Sequence, residues 1–195
     1  MSCGKALLII DLQNDFCPGG ALPVPAGNEI VPVLNKYIAL FVKMNYYIIA
    51  SRDWHPRQTK HFKKYGGEWP EHCIQETAGA QFHPDLQLPH TAIIISSGMN
   101  PDEEGYSAFE GVNAEGEHLA QMLDSVGVKE LFVGGLATDY CVKESVLSAL
   151  REGYKVTVLI DAVRGIAPHA SRNAIEEMKA HAATVLSFDQ LGSQL

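Results

Sequence analysis

Residues 129–153, KELFVGGLATDYCVKESVLSALREG, contain the pattern that decides the fold. A short apolar run that ends in two glycines predicts a buried strand followed by a tight turn. From Val142 onward apolar residues recur at helical spacing, and Gly153 can end that helix. Cys141 therefore lies where a strand gives way to a helix.

The position of Cys141 indicates two alternatives of equal weight. A thiol near the start of a helix meets free backbone N–H groups and the positive end of the helix dipole, and both favour the nucleophilic thiolate. Thr138 or Asp139 would supply the N-cap of that helix. The alternative is a small buried cysteine that only packs against its neighbours.

Composition limits the classes of function that the chain can have. Its 195 residues are 46% hydrophobic and 19% charged, which is typical of one globular domain covering residues 1–195. A formal net charge of -8 argues against binding to nucleic acid or to an anionic membrane surface. With four scattered cysteines, no CxxC pair, no signal peptide and no membrane span, we expect a cytoplasmic protein.

The first predicted strand ends in a carboxylate. Ala6 to Ile10 is apolar at every position, as in a central strand of a parallel sheet, and Asp11 follows it directly. Groups just beyond the carboxyl end of such a strand face the ligand crevice. Asp11 could therefore exchange a proton with a nearby thiol, although an aspartate that caps the following turn is a common alternative.

A second strand, Tyr46 to Ala50, leads to a candidate metal site. Asp53 and His55 are two residues apart, so in an extended segment their side chains point the same way. With His61 and His72 they would offer one carboxylate and up to three imidazoles, a set that suits Zn²⁺, Fe²⁺ or Mn²⁺. We expect one divalent metal ion there.

Strands and helices alternate along the whole length, which predicts a doubly wound parallel sheet of the α/β class. Further strands are expected at residues 91–96, 155–160 and 183–186. Helices are expected at residues 29–44, 119–126 and 171–181, the last one capped by Ser171. Aromatic residues in the YSAF segment, Tyr106 to Phe109, face either the crevice or the core.

With these residues located, the chain resembles the nicotinamidases (pyrazinamidases) of the isochorismatase-like cysteine hydrolases. The resemblance rests on IIDLQNDFCPGGALPV, SRDWHP, WPEHCIQETAGAQFHPDL, NPDEEGYSAF and GGLATDYCVKESVLSAL, and it extends over nearly the whole chain. It implies a three-layer α/β/α fold around a parallel sheet of about six strands. It also implies a small aromatic amide such as nicotinamide as the substrate, and it leaves a homo-oligomer open.

The resemblance assigns roles to individual residues. Cys141 matches the nucleophile and Asp11 the acid/base, while a cis peptide at Leu136-Ala137 and the N–H groups of Ala137 and Cys141 form the oxyanion hole. Asp53, His55 and His72 match metal ligands; His61 matches the remaining ligand, with Thr59 at an alternative alignment position. The implied substrate contacts are Phe16, Trp69, Tyr106 and Leu136.

One position departs from the family pattern. The family's third catalytic residue is a lysine directly before a glycine, and here Ser97 precedes Gly98. An ammonium would lower the pKa of the cysteine and balance the charge of Asp11, whereas a hydroxyl does neither. Lys60, Lys63 or Lys64 could reach the site instead.

Four functions are therefore compared. The first is a metal-dependent amidohydrolase that converts nicotinamide to nicotinate and ammonia through a thioester on Cys141. The second is a family member altered by Ser97, either a silent relative that binds a metal and a pyridine ligand or an amidase for another small amide. The third is an isochorismatase, an enzyme class that lacks the cysteine, and the fourth is an N-carbamoyl amidohydrolase, a class that typically lacks the metal cluster. Cys141 disfavours the third function and the candidate metal ligands disfavour the fourth.

Overall fold

A computed structural model describes residues 4–192 of the chain. Six strands form one sheet with the order β3-β2-β1-β4-β5-β6, and every neighbouring pair is parallel. The strands are β1 (Lys5–Ile10), β2 (Tyr47–Asp53), β3 (Ile93–Ser97), β4 (Glu130–Leu136), β5 (Lys155–Arg164) and β6 (Thr184–Leu186). The predicted α/β class with six parallel strands is confirmed.

Helices cover both faces of the sheet, which gives three layers. They are α1 (Val31–Lys43), α2 (Leu119–Ser125), α3 (Lys143–Arg151), α4 (Pro168–Ala180) and α5 (Phe188–Gly192). One buried cluster joins α2, α3 and α4 to the first face of the sheet, and a second joins α1 and α5 to the other face. Because both faces are covered, the apolar residues of β1 are buried at every position from Ala6 to Ile10.

Two helix predictions differ from the structure. The predicted helix 29–44 begins as α1 at Val31, after a 3₁₀ turn over Gly27–Ile30. The helix predicted to begin at Ser171 begins at Pro168, since proline fits the first turn of a helix, where its missing N–H is not needed. Ser171 lies inside this helix and donates its hydroxyl to the Ala167 carbonyl.

Close approach of β1 and β4 sets the distance between their carboxyl ends. Gly135 has φ +127, and a Cβ there would lie 2.1 Å from the carbonyl oxygen of Ile10. Only glycine allows the two backbones to lie this near. The residues that follow the two strands, Asp11 and the Cys141 turn, are therefore brought together at one edge of the sheet.

Within residues 4–192, no helix is both long enough and apolar enough to span a membrane. The cysteines in this range, Cys17, Cys73 and Cys141, are all buried free thiols. Cys3 lies outside the described residues.

Candidate active site

The cysteine turn connects β4 to α3. A cis peptide joins Leu136 and Ala137, and a tight turn over Thr138–Val142 follows before α3 begins at Lys143. Cys141 is on this turn with 8% of its surface exposed. The cis peptide is located where the resemblance implied it.

The predicted capping of this segment is wrong. No side chain caps the turn or α3. Instead, the Asp139 carboxylate accepts hydrogen bonds of 3.0 Å from the backbone N–H groups of Ile166 and Ala167, at the start of α4. An acidic side chain at that position satisfies free N–H groups and favours the positive end of the helix. Asp139 therefore holds α4 against the cysteine turn.

Asp11 lies beside the thiol. Its side chain is hydrogen-bonded to Cys141 and accepts a 2.6 Å hydrogen bond from the Ser51 hydroxyl at Oδ1. Only its backbone carbonyl bonds the following turn, through the N–H of Gln13 at 2.8 Å. The alternative in which the Asp11 side chain caps the following turn is therefore wrong.

Burial and nearby negative charges disfavour ionisation of the Asp11 carboxyl and of the Cys141 thiol. Burial, and then the Asp53 charge, raise the pKa of Asp11 well above its usual range, against the hydrogen bonds from Ser51 and Cys141. Burial, followed by the charges of Asp11 and Asp53, likewise raises the pKa of Cys141. The expected lowering of the thiol pKa by the helix start is thus outweighed when no metal is bound.

Ser97 is at the carboxyl end of β3, in register with Asp53 on β2. It is buried, with 2% of its surface exposed, and its hydroxyl donates only a long 3.4 Å hydrogen bond to the Arg52 carbonyl. The hydroxyl makes no hydrogen bond to Asp11 or Cys141 among the described contacts. Ser97, where the resemblance places a lysine, therefore brings no positive charge to Asp11 or Cys141.

The nearby lysines are held elsewhere. The ion pairs join Lys60 to Asp102 and Lys64 to Glu71, and Lys63 is exposed. The expectation that Lys60, Lys63 or Lys64 reaches the cysteine is therefore wrong.

The candidate metal ligands converge next to the cysteine. One ring nitrogen each of His55, His61 and His72 lies within 4.8 Å of the others. The Oδ2 atom of Asp53 is 3.4 Å from the Nε2 atom of His55 and 3.6 Å from that of His72. These four buried side chains form the group that the sequence predicted would assemble.

Backbone carbonyls hold two of the imidazoles in one orientation. The Nδ1 atom of His55 is 3.0 Å from the Gly98 carbonyl, and that of His72 is 2.8 Å from the Pro70 carbonyl. An Nδ1–H that donates to a carbonyl leaves Nε2 with a lone pair for a metal. Gly98 is required here, because at φ +63 a Cβ would lie 2.4 Å from the His55 ring.

The structure also distinguishes His61 from Thr59. The His61 ring stacks on His55 with centroids 4.6 Å apart, and its buried Nδ1 lies 3.5 Å from the Glu104 carboxylate without a hydrogen bond to it. Thr59 instead donates its hydroxyl to the Pro101 carbonyl at 3.1 Å. His61 is thus the side chain that faces the cluster.

The cluster fits a divalent ion. Besides His61 Nδ1, the buried atoms without a hydrogen-bond partner among the described residues are His55 Nε2 and Asp53 Oδ1. Such atoms are costly unless a ligand satisfies them. Burial and then the charge of His55 lower the pKa of His61 to about 4, so its ring is neutral and available as a ligand at neutral pH.

An aromatic cleft opens over both groups. Phe16, Trp69 and Tyr106 line it together with Ala137 and Cys141. The Trp69 indole donates a 2.7 Å hydrogen bond to the Tyr106 hydroxyl, which fixes both rings. Tyr106 therefore faces the crevice, the first of the two alternatives for the YSAF segment.

Leu136 differs from the expectation for a substrate contact. Its side chain is fully buried in the second core cluster and lies outside the cleft lining. Parallel strands alternate their side chains between the two faces of the sheet, and this side chain faces the layer of α1. Leu136 contributes its peptide bond to the site.

Two residues of the site were not singled out from the sequence. Gln13 is fully buried and holds Asp53 by two bonds: its Nε2 donates to the carbonyl at 2.8 Å and its Oε1 accepts from the N–H at 2.9 Å. Ser51 holds Asp11. Gln13 lies in the segment IIDLQNDF, two residues after Asp11, and Ser51 lies in SRDWHP, two residues before Asp53. This nearness in sequence to a candidate site residue is the signal by which each could have been identified.

Comparisons with known proteins agree with this geometry. A model of the isochorismatase domain matches residues 5–190. The chain belongs to the isochorismatase family. Among curated relatives, the nicotinamidase of Escherichia coli (strain K12) is 43% identical over 94% of this chain and 95% of its own length.

Solved structures agree with the same assignment within the isochorismatase family. The pyrazinamidase of Pyrococcus horikoshii in complex with zinc superposes with a TM-score of 0.89 at 45% identity, covering 95% of this chain and 99% of that one. PnC1 from L. infantum in complex with nicotinate superposes with a TM-score of 0.87 at 33% identity, covering 97% and 96%. The predicted resemblance to the nicotinamidase/pyrazinamidase group is confirmed.

Proposed function

We propose that this isochorismatase-family protein is a metal-dependent cysteine amidohydrolase that converts nicotinamide to nicotinate and ammonia. The observation that carries the proposal is the hydrogen-bonded pair of Cys141 and Asp11 beside the Asp53 and histidine cluster, under one aromatic cleft. A nucleophile, a proton carrier and a metal site in one cleft are the components of amide hydrolysis.

The chemistry follows from the order of proton transfers. Asp11 takes the proton of the Cys141 thiol, and the sulfur attacks the amide carbonyl carbon to form a C–S bond. The N–H groups of Ala137 and Cys141 donate to the oxygen that becomes negative. Asp11 then protonates the amide nitrogen, the C–N bond breaks and ammonia leaves a thioester.

The second half of the reaction restores the enzyme. Water attacks the thioester carbonyl and gives one proton to Asp11, which passes it to the sulfur as the C–S bond breaks, so that the thiol is re-formed. The acid product loses its remaining proton to solvent and departs as nicotinate. Phe16 and Trp69 would hold the flat ring throughout, because aromatic faces pack well against each other.

Asp53, His55, His61 and His72 would hold the metal ion, with zinc, iron and manganese all compatible with this ligand set. When bound, such an ion supplies a Lewis acid that can hold a pyridine nitrogen. Gln13 and the carbonyls of Gly98 and Pro70 hold three of these ligands in place without the metal.

Removal of one imidazole should weaken metal binding. For His61→Ala we expect at least about 100-fold lower affinity, since even outer hydrogen-bond partners of a metal ligand are worth 10–100-fold. Competition with a chelator and elemental analysis measure this directly. His90→Ala, an exposed histidine outside the cluster, is the matched control. Unchanged affinity in His61→Ala would remove His61 from the ligand set.

A silent relative that only binds a metal and a pyridine ligand is the second candidate, favoured by Ser97 alone. Ammonia release and nicotinate formation, measured with nicotinamide and metal-loaded protein, distinguish the two. We expect turnover of nicotinamide and none of an N-carbamoyl amino acid. Tight binding of nicotinamide without ammonia release would support the silent relative instead.

A further inference from the structure

A second cavity, which we call the groove, adjoins the aromatic cleft. The two cavities meet at consecutive residues of the chain, because Val24 and Ala137 line the cleft while Pro25 and Thr138 line the groove. Among the described residues, Ile166 alone lines both cavities. Its half-buried side chain packs against the second core cluster. Ile166 therefore lies between the cleft and the groove.

The backbone at Ile166 is fixed relative to the cysteine turn. Its N–H donates a 3.0 Å hydrogen bond to Oδ1 of Asp139, a residue of that turn. Gly165 precedes it where a Cβ would lie only 2.0 Å from the Ser171 hydroxyl oxygen, and α4 begins two residues later at Pro168. A β-branched side chain also has few rotamers with which to move aside. The wall that Ile166 forms is therefore rigid.

The two cavities differ in size and in chemistry. The free volume is about 30 Å³ in the cleft and about 680 Å³ in the groove, and the second value is within the range of about 300–1,000 Å³ for small-molecule pockets. Ile160, Val163 and Ile175 give the groove an apolar lining, and its charged residues are of both signs: Arg164, Arg172 and Glu176. The groove therefore suits an alkyl group.

We infer that Ile166 is a specificity-determining residue, which limits the ring substituents that a pyridine carboxamide can carry as a substrate. With the side chain in place, the cleft accepts a ring that has no bulky group on the edge facing Ile166. Without the side chain beyond Cβ, the groove becomes a subsite for an apolar group on that edge. This inference deepens the proposed hydrolase function and rests on it.

The expected effect of Ile166→Ala follows from the fit of one apolar group. A single methylene that fits or does not fit an apolar pocket changes kcat/KM by about 10–200-fold. We therefore expect kcat/KM for a propyl-substituted nicotinamide, divided by that for nicotinamide, to rise about tenfold or more. For nicotinamide itself KM should rise while kcat changes little, since Ile166 would touch the ring and not the reacting atoms.

Ammonia release from three substituted substrates tests the inference. Nicotinamides with a propyl group on ring carbon 4, 5 or 6 would be compared with nicotinamide in wild type, Ile166→Ala and Ile175→Ala. Ile175 is the matched control, because it is also half-buried and lines the groove but not the cleft. We expect the gain for at least one compound in Ile166→Ala and for none in Ile175→Ala. An unchanged ratio for all three compounds would overturn the inference.

Two further variants test the place that the substituent occupies. Ile166→Val, which is smaller by one methyl group, should show part of the gain and serves as the test if the alanine variant does not fold. Ile166→Ala/Ile175→Trp opens the wall but fills the groove with a large ring, so the gain should be lost. A gain that persists in this double variant would contradict the groove as a subsite.

Binding of the acid products separates this inference from the hydrolase function. Calorimetric titration of metal-loaded protein with nicotinate and with its propyl derivatives needs no turnover. We expect at least one propyl derivative to bind Ile166→Ala about tenfold or more tightly than wild type. That result without hydrolysis of nicotinamide by wild type would reject the function and keep Ile166 as the wall. Hydrolysis with no gain in binding would reject the role of Ile166 alone.

Discussion

Replacement of Cys141 by alanine is expected to lower kcat/KM for nicotinamide by about 10⁴-fold or more, because among the described residues Cys141 is the only thiol that lines the cleft. The sulfur is hydrogen-bonded to Asp11 and lines the aromatic cleft, so its loss removes the nucleophile. Ammonia release and nicotinate formation by the metal-loaded variant measure the effect.

Replacement of a second buried cysteine, Cys17, distinguishes the loss of a nucleophile from the loss of packing. Cys17 is also a buried free thiol, 5% exposed against 8% for Cys141, but it lies in the core away from Asp11. Cys17→Ala should keep its turnover, apart from a modest loss of stability. Comparable turnover in Cys141→Ala and wild type would rule out covalent catalysis by this cysteine.

Asp11→Asn should have opposite effects on activity and stability. Without the proton carrier we expect kcat/KM to fall by about 10³-fold, within the range for loss of a general acid–base. Burial and the Asp53 charge raise the pKa of Asp11, so its ionisation weakens the metal-free fold at neutral pH. The amide carries no charge, and we expect Tm to rise by about 2–4 °C, the effect of about 1 kcal/mol in a domain of this size.

The rise in Tm of Asp11→Asn over wild type should be larger at neutral pH than at acid pH. A raised pKa in the folded state means that the penalty begins as pH rises above the unfolded value, about 3.9, and is complete above the folded value. The Tm difference between Asp11→Asn and wild type should therefore be present at pH 7 and vanish below about pH 3. Thermal unfolding in the presence of a chelator measures it.

Asp161→Asn is a suitable comparison for the Asp11 variant. Asp161 accepts hydrogen bonds from Tyr37 and Phe188, outside the cleft, so its replacement should lower Tm and spare turnover. A fall in Tm for Asp11→Asn at pH 7, as in this control, would contradict the raised pKa of the Asp11 carboxyl.

The convergence of the site could be predicted because it follows from topology. Asp11 and the Cys141 turn follow β1 and β4, and Asp53 is the last residue of β2; these are adjacent strands of a parallel sheet. Carboxyl ends of adjacent parallel strands meet at one edge, so the acid, the metal ligand and the thiol had to lie near each other. Local sequence patterns were sufficient to locate those strand ends.

Features that depend on distant contacts could not be predicted in this way. Asp139 precedes α3 in the chain, yet it accepts hydrogen bonds from the N–H groups of Ile166 and Ala167, just before α4, which come close to it only after folding. The pKa of Cys141 depends on carboxylates from two other strands, which outweigh the local effect of the helix start. Likewise, the bond from Ser51 to Asp11 spans 40 positions of sequence.

Capture of the acyl-enzyme is the most direct measurement of the central claim. Metal-loaded protein would be mixed with nicotinamide and hydroxylamine, which intercepts a thioester, and parallel samples would be quenched in acid for peptide mass analysis. We expect nicotinohydroxamic acid in solution and a nicotinoyl group on the Cys141 peptide, both absent in Cys141→Ala. Ammonia release at the full rate with neither product would mean that water attacks the amide directly, and it would contradict a thioester on Cys141.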